Sequence, residues 1–240
     1  MKVDRPYASS AAVYDLLYEA AGKDYEREAR DLHAIIQRVR PGARSLLDVA
    51  CGTGAHLLHL SRHYDVAGVD LAPAMLDEAR RRLPGTPFTV GDMRSFRLDR
   101  TFDAITCLFS AIAYVGTPAE LDETLATFKR HLSPGGIVVV DGWVRRRSWR
   151  DPGTVQVLSA ARDGVAVARV IRSRRDGVHT TLELQHLVGS VDGIDHIVGS
   201  HALTLFDDDE YRGAFERAGL TVETVASPHP DRDRYIGIDG

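Results

Sequence analysis

The feature that most limits how this chain can fold is an apolar run that leads into a glycine-rich turn. Residues 46–54 read Leu-Leu-Asp-Val-Ala-Cys-Gly-Thr-Gly, and a helical pattern begins near His56. Glycines let the backbone approach a ligand closely, and open α/β sheets bind their cofactors at the carboxyl ends of strands. The run therefore predicts a buried strand, a ligand-binding turn and a helix in succession.

Apolar runs and helical stretches alternate over the first 142 residues. Helices are predicted at Tyr25–Val39 and across residues 121–132, where the second pattern stops before Pro134-Gly135-Gly136. Strands are predicted at residues 45–49, 66–69, 88–90, 104–109 and 137–140. Strands separated by helices form parallel sheets with right-handed crossovers. The predicted fold class is α/β, with a Rossmann-like, doubly wound, mostly parallel sheet.

The pattern changes after residue 142. Asp-Gly pairs at residues 163–164, 176–177 and 192–193 separate runs rich in Val, Ile and Thr, which is typical of antiparallel hairpins. We predict an antiparallel β insertion at residues 143–202, while residues 1–142 and 203–240 form the Rossmann-like domain. Asp207 and Glu210 have the spacing of a helix cap and its reciprocal partner, and residues 234–238 return to a strand.

Composition and charge exclude several classes of protein. The chain has 240 residues, two cysteines and a formal net charge of −4. A general nucleic-acid binder would be basic, and a disulfide framework needs more cysteines. No apolar run approaches the length of a membrane span, and the first residues do not resemble a signal peptide. We therefore expect a cytoplasmic protein without nucleic-acid or membrane partners. The sequence does not fix the oligomeric state, and we carry a homodimer as an expectation.

The turn also indicates which cofactor it does not hold. A dinucleotide fingerprint needs a third glycine at the position of Leu57, and a phosphate-binding P-loop needs Gly-Lys-Ser/Thr where Gly54 is followed by Ala55. Two acidic residues supply a different pattern. Asp70 ends the second strand and can accept hydrogen bonds from a ribose diol, and Asp92 follows the third and can accept from an exocyclic amine.

These motifs occur in order on successive strand ends and resemble those of class I S-adenosylmethionine (SAM) methyltransferases, which implies a seven-stranded sheet. A closer resemblance covers nearly the whole chain, to the N,N-dimethyltransferases of TDP-linked amino-deoxysugars in antibiotic biosynthesis. The motifs that carry it are Val13-Tyr14-Asp15-Leu16, Gly22-Lys23-Asp24-Tyr25, Cys107-Leu108-Phe109-Ser110, Pro134-Gly135-Gly136, Leu205-Phe206 and residues 232–240. The resemblance implies that SAM donates one methyl group, and then a second, to a sugar amine beneath the insertion.

The resemblance also implies a set of cofactor contacts. Tyr14 and Tyr25 would meet the methionyl end of SAM, Asp70 the ribose, and Asp92 with Met93 the adenine. The full set of implied cofactor residues is Tyr14, Tyr25, Ala50, Cys51, Gly52, Asp70, Leu71, Met75, Asp92, Met93 and Leu108.

The substrate end is expected to be basic. Nine arginines and only two acidic residues lie between residues 145 and 175, which suits an anionic diphosphate because Arg can bind phosphate oxygens bidentately. Arg232 matches an arginine of the family's ending and is the first candidate for a phosphate contact. Arg145 and Arg172 are further candidates, and Trp143 is expected to stack on the thymine or the sugar.

Two tyrosines are the candidates for catalytic and substrate-binding roles. Tyr7 and Tyr114 could fix the amine lone pair or relay its proton, and orientation is favoured because an unperturbed tyrosine is a poor base at neutral pH. The family has a His where this chain has Tyr114, and reads Glu-Pro-Trp-Trp where this chain reads Asp141-Gly142-Trp143-Val144. Both departures fall at the sugar end of the expected site.

Other interpretations are weighed against this one. His56, His59 and His63 share a helix face, but no nearby Cys or carboxylate completes a zinc site, and we expect no metal. The alternatives that remain are a SAM-dependent O- or N-methyltransferase of another small molecule and a non-catalytic SAM-binding protein.

Overall fold

A computed structural model describes residues 2–3, 7, 10–150, 153–227 and 231–240 of the chain. Its strands form two sheets, one of seven strands and one of five. The five-stranded sheet covers one end of the seven-stranded sheet, and the space between them is the cavity described below.

The seven-stranded sheet is the predicted Rossmann-like core. Its strands in chain order are β2 (Ser45–Val49), β3 (Asp65–Asp70), β4 (Phe88–Val90), β5 (Phe102–Cys107), β6 (Leu132–Asp141), β11 (Leu220–Ala226) and β12 (Asp233–Asp239). They lie in the order β11-β12-β6-β5-β2-β3-β4. Neighbours from β6 to β4 are parallel, and β12 is antiparallel to both of its neighbours. The fold class and the strand number are confirmed.

Two strand boundaries differ from the prediction. The fourth predicted strand, residues 104–109, is β5 and ends at Cys107, because Phe109 and Ser110 have φ angles of 54° and 63°. Extended backbone cannot continue through residues with such left-handed angles. The fifth predicted strand, residues 137–140, is part of β6, which starts at Leu132 and includes Pro134.

Helices cover both faces of this sheet. They are α1 (Ala11–Ala20), α2 (Tyr25–Val39), α3 (Ala55–Leu60), α4 (Pro73–Arg82), α5 (Pro118–Arg130) and α6 (Asp208–Arg217). Polar side chains determine where some of these helices begin. Asp24 caps α2 by accepting from Arg27 N, and Asp207 and Glu210 form the expected reciprocal cap of α6. The pattern analysis missed α1 and α4.

Burial on both faces explains why the central strands read as continuous apolar runs. Leu46 packs in a cluster with Leu32 and Ile36 of α2, whereas Leu47 packs in a second cluster with Phe128 of α5. Adjacent strand residues point to opposite faces, so each face needs its own apolar partners. The glycine-rich turn at the end of β2 therefore projects from a rigid, fully packed strand.

The five-stranded sheet contains the predicted hairpins. Its strands are β1 (Lys2–Val3), β7 (Val155–Arg162), β8 (Val165–Asp176), β9 (His179–Ser190) and β10 (Gly193–Thr204), in the order β1-β10-β9-β8-β7. Each Asp-Gly pair lies at a hairpin turn, and Asp163 and Gly164 both have positive φ angles, as a tight hairpin turn requires. The strand β1 pairs with β10 although it lies in the N-terminal segment. The division into domains at residues 143 and 202 stays a prediction.

None of the helices in the described part of the chain is long and apolar enough to cross a membrane.

Candidate active site

A cavity of about 740 Å³ lies between the carboxyl ends of the central strands, helix α1 and the five-stranded sheet. This volume suits a small-molecule site. Helix α1 contributes Tyr14, Asp15, Leu17 and Tyr18 to its lining, and the strands of the smaller sheet contribute Gln156, Leu158, Arg169, Ile171, Ser173, Leu182, Leu184, His186, His201 and Leu203. One continuous space therefore joins the glycine-rich turn to the inner face of the antiparallel sheet.

The turn after β2 depends on glycine at two places. Gly52 and Gly54 have φ angles of 56° and 71°, which most side chains disfavour. A Cβ on Gly54 would also lie 3.3 Å from Cβ of Ala79 in α4. The close approach of α4 explains why a small residue is needed here, and it leaves the ligand side of the turn open.

Asp70 holds this turn from the end of the neighbouring strand. Its two carboxylate oxygens accept hydrogen bonds from Gly52 N and Ala72 N, each at 2.8 Å. Burial raises the pKa of Asp70, and these backbone donors oppose the rise by favouring the charged form. Each oxygen retains acceptor capacity, so the carboxylate can also accept from a ribose diol facing the cavity.

Asp92 also lines the cavity, but its carboxylate already has a cationic partner. The Arg94 guanidinium donates to both carboxylate oxygens, at 2.9 and 2.5 Å, and lowers the pKa of Asp92. Arg94 also bonds Glu120 of α5. Asp92 is thus a fixed, ionised acceptor, which suits the predicted contact with the exocyclic amine of adenine.

Asp48 is a buried acid beneath the turn. Its side chain accepts a 2.7 Å hydrogen bond from Oγ1 of Thr106, and burial raises its pKa to about 7. The charges of Asp70 and Asp141 contribute to the same rise. Asp48 is therefore an acid that the folded protein holds protonated at a pH where the unfolded chain would have lost the proton.

This shift predicts a pH-dependent stability effect of the substitution Asp48→Asn. Between the unfolded pKa near 4 and the folded pKa of about 7, only the folded state binds the proton, so stability falls as pH rises and the full penalty is present above pH 7. We expect Asp48→Asn to gain roughly 5 °C in Tm relative to wild type at pH 8 and little at pH 4. Thermal unfolding at both pH values measures this, and an equal difference at both would contradict it.

Tyr7 and Tyr114, the two predicted catalytic residues, meet in the cavity. Their hydroxyl oxygens are 2.5 Å apart, and the Tyr114 hydroxyl is 2.9 Å from Nδ1 of His201. The ring of Tyr7 stacks on His201 and meets the ring of Tyr14 edge to face. Burial raises the pKa of Tyr7 and of Tyr114, so both hydroxyls stay neutral at physiological pH.

Arg232 lines the cavity beside Trp143. Its guanidinium is 4.4 Å from the Trp143 ring centroid, and Nη1 donates to Oγ of Ser110 at 3.1 Å. Nε of Arg232 and Nε1 of Trp143 are buried and have no hydrogen-bond partner among the described residues. Both groups are donors that a ligand could satisfy.

Arg169 provides a second set of such donors. It lies on the inner face of β8, is 2% exposed, and its guanidinium stacks over the ring of Tyr18 at 4.7 Å. Within the described part of the chain, no acceptor bonds its Nε or Nη2 atoms. A buried guanidinium without a carboxylate partner is costly, and an anionic ligand would remove that cost.

The structure brings most of the predicted site residues together. All eleven predicted cofactor residues line the cavity, as do Tyr7, Tyr114, Trp143 and Arg232. Their individual roles stay predictions.

Arg145 and Arg172 were expected to contact the substrate, and the structure corrects this expectation. Neither lines the cavity. Nε of Arg145 donates to Asp233 at 2.6 Å, and Nε of Arg172 donates to Glu183 at 2.8 Å. Arg172 lies on the outer face of β8, because its position alternates with that of Arg169. Both guanidinium groups are thus held by carboxylates away from the site.

Sequence reasoning missed His201 and did not separate Arg169 from the other arginines of the basic segment. A signal for Arg169 was present: it shares the alternation of Val165, Val167 and Ile171, so it is a charge on the apolar face of a strand. No local signal marks His201, because its partner Tyr114 lies 87 residues away.

The three histidines considered for zinc do not converge. His56 donates through Nε2 to the Glu28 carboxylate at 2.8 Å, and this carboxylate also accepts two hydrogen bonds from Lys23. Burial opposes ionisation of Glu28, but His56 and Lys23 outweigh it and lower the Glu28 pKa to about 2. Among the described residues, no group of three or more His, Cys, Asp or Glu side chains forms a metal site. The His56 cluster instead ties α2 to the helix after the glycine-rich turn.

Sequence comparisons place these features in a known family. A profile described as a methyltransferase domain matches residues 46–136. The chain is 44% identical over 232 residues to dTDP-3-amino-3,6-dideoxy-alpha-D-glucopyranose N,N-dimethyltransferase of Streptomyces fradiae, covering 96% of this chain and 91% of the relative. It is 43% identical to dTDP-3-amino-3,4,6-trideoxy-alpha-D-glucopyranose N,N-dimethyltransferase of Streptomyces venezuelae, covering 95% and 97% of the two chains.

Solved structures agree with the sequence comparisons. The crystal structure of Streptomyces venezuelae DesVI superposes with a TM-score of 0.91 at 42% identity, covering 96% of this chain and 98% of that one. SAM-bound CalS10, an amino pentose methyltransferase from Micromonospora echinaspora, superposes with a TM-score of 0.84 at 41% identity, covering 95% and 97%. S-adenosylmethionine is thus the cofactor that the turn and Asp70 fit. The chain belongs to the family of SAM-dependent N,N-dimethyltransferases of TDP-linked amino-deoxysugars.

Proposed function

We propose that this protein transfers methyl groups from SAM to the amino group of a TDP-linked amino-deoxysugar, twice in succession, in the biosynthesis of an antibiotic. The observation that carries the proposal is the set of buried donors of Arg169, Arg232 and Trp143 that have no partner among the described residues and lie in the same cavity as the cofactor turn. A diphosphate would accept from these donors, and the attached sugar would extend toward the turn. The names of the relatives support the same substrate class.

The side chains of the site would act mainly by orientation. Bound SAM supplies a methyl group on a positively charged sulfur. An uncharged amine is a good nucleophile, so holding it in line with that carbon accounts for much of the barrier, up to roughly 7–11 kcal/mol. Tyr7 and Tyr114 are neutral hydroxyls and can hold the amine by hydrogen bonds. The arginines anchor the diphosphate and thereby fix the distance of the sugar from the cofactor.

Turnover with a defined substrate tests the proposal. Purified protein is incubated with SAM and dTDP-3-amino-3,6-dideoxy-α-D-glucopyranose, the sugar named for the S. fradiae relative. We expect stoichiometric S-adenosylhomocysteine and sugar that carries one and then two added methyl groups by mass spectrometry. The same amino-sugar without the nucleotide is the control and should react far more slowly. Equal rates with and without the nucleotide, or no methylation of either, would overturn the proposal.

Arg232→Ala gives a prediction for the substrate end of the cavity. Loss of its buried donors should raise KM for the nucleotide sugar about 30-fold, since hydrogen bonds to charged groups contribute roughly 1.5–3 kcal/mol. The Kd of SAM should not change, because the contacts of Arg232 among the described residues are with Ser110 and Trp143 and not with the glycine-rich turn. Arg174→Ala is the matched control, as Arg174 is exposed and bonded to Glu183. Steady-state kinetics and calorimetry measure both constants, and a matching KM in the two variants would contradict the assignment.

Several expectations accompany the proposal and stay predictions. They are a cytoplasmic location, a homodimer, and the absence of nucleic-acid and membrane partners. The division into a cofactor domain and an antiparallel substrate-binding insertion is proposed in the same sense, with Arg169 as the insertion's phosphate contact.

A further inference from the structure

Three side chains from distant parts of the chain form one row of hydrogen bonds at the cavity wall. Tyr7 comes from the N-terminal segment, Tyr114 from the 3₁₀ turn at Ala111–Tyr114, and His201 from β10. The two hydroxyl oxygens are 2.5 Å apart, and the second is 2.9 Å from Nδ1 of the imidazole. All three residues line the cavity, and Tyr114 remains 43% exposed. The row thus runs along the wall of the substrate space and is open to water.

The direction of the row depends on the imidazole. When His201 is neutral with Nδ1 as acceptor, Tyr114 donates to Nδ1, Tyr7 donates to the Tyr114 oxygen, and the Tyr7 oxygen accepts from a ligand. When Nδ1 carries a proton, every donor reverses, and Tyr7 donates its proton toward the ligand. A donor at that point would occupy the lone pair of an amine, so only the neutral tautomer with an unprotonated Nδ1 presents an acceptor to the substrate nitrogen.

We propose that His201 is a positioning residue that acts through Tyr114 and Tyr7: its neutral imidazole orients the row to accept the amine proton and makes two successive methylations possible. This inference rests on the proposed function, because it takes the ligand to be an amine. Beyond the proposed function, it adds His201 as the end of the row and as the residue that sets the direction of its hydrogen bonds. It also assigns the row the removal of a proton between the two methyl transfers.

The proton balance shows why the second transfer needs the row. In the first transfer a C–N bond forms as the C–S bond breaks, and the electron pair of that bond stays on sulfur. The product is a methylammonium with no lone pair. Its proton passes to the Tyr7 oxygen, the Tyr7 proton to the Tyr114 oxygen, and the Tyr114 proton to Nδ1 of His201. The imidazolium then loses its Nδ1 proton to water, which restores the first direction of the row, and the amine can accept a second methyl group.

An imidazole suits the end of the row, because this side chain can take up and release a proton near neutral pH. Imidazole is the side chain whose unperturbed pKa lies between pH 5 and 8. The tyrosines cannot replace it, because burial raises the pKa of both. The charges of Tyr14 and Tyr18 of α1 and of Asp70 at the end of β3 act on the two tyrosines of the row. Of these, Asp70 can also titrate below neutral pH.

His201→Asn tests the proposal, because an amide can occupy the position of Nδ1 and form hydrogen bonds but cannot titrate. The probe is dTDP-3-amino-3,6-dideoxy-α-D-glucopyranose with SAM, followed by rapid quench and mass spectrometry between pH 6 and 9. We expect the second methylation to slow about 100-fold, a typical effect of removing a proton acceptor, with monomethyl product accumulating. The first methylation of uncharged amine should slow less. In wild type the rate of the second methylation should fall at low pH, where His201 is protonated. This fall should be absent in His201→Asn.

His196→Asn is the matched control, because His196 lies on the same strand but on the outer face, bonded to Gln185. It should leave both rates unchanged. If His201→Asn gives the wild-type product ratio and pH profile, the proposal is overturned.

A second measurement does not depend on turnover. The ¹⁵N shift of His201 Nδ1 should report an accepted hydrogen bond in wild type and should change in Tyr114→Phe. An unchanged shift would also overturn the proposal. If wild type fails to methylate the probe while this shift behaves as expected, the proposed function fails and the row itself stands, so the two failures are distinguishable.

Discussion

Replacing Asp70 with alanine is expected to weaken SAM binding about 100-fold. The Asp70 carboxylate accepts from Gly52 N and Ala72 N and faces the cavity where the ribose diol is predicted to bind. The substitution therefore removes the ribose acceptor and also frees the backbone donor that shapes the turn. Charge-assisted hydrogen bonds contribute roughly 1.5–3 kcal/mol each, and about 2.8 kcal/mol corresponds to 100-fold in Kd.

Asp65→Ala supplies the control for this experiment. Asp65 begins the strand that Asp70 ends, and its carboxylate forms an exposed ion pair with Arg100. Exposed pairs contribute little, so its Kd for SAM should equal that of wild type. Isothermal calorimetry measures both variants. Equal SAM affinity of Asp70→Ala and Asp65→Ala would contradict the assignment of Asp70 to the cofactor site.

The second large effect is expected from Arg169→Met. This change keeps the apolar stem and removes the donors that lack a partner among the described residues. We expect KM for the TDP-sugar to rise about 100-fold while the Kd of SAM stays constant. The same change should raise Tm in the absence of substrate, because a buried charge that no carboxylate of the described residues neutralises costs stability. Loss of substrate affinity together with a gain in stability is the signature of a ligand-binding charge.

Arg172→Met, three residues along the same strand, is the matched control. Its guanidinium is exposed and bonded to Glu183, so neither KM nor Tm should change by much. Kinetics with the TDP-sugar and thermal unfolding without it provide the two readouts. A fall in Tm for Arg169→Met with an unchanged KM would show that the guanidinium supports the sheet rather than the substrate.

The contrast between Arg169 and Arg172 shows what the local sequence can predict about the ligand site. The basic segment predicted an anion site and named Arg172 and Arg145, whose partners Glu183 and Asp233 were not visible in the local pattern. The alternation of β8 would have favoured Arg169, because that charge falls in register with apolar residues. The period of a strand assigns a side chain to a face, but it does not say which face meets a ligand.

The sequence by itself determined the α/β alternation, the glycine-rich turn after β2, the acidic residues at successive strand ends and the Asp-Gly hairpins. These are local features, since the backbone conformation of a few adjacent residues and the order of parallel strands dictate them. Only the tertiary structure decided which arginines face the cavity and which meet carboxylates. It alone brought Tyr7, Tyr114 and His201 into one row, because these residues are separated by most of the chain and meet only when the antiparallel sheet folds over the cofactor end of the Rossmann-like core.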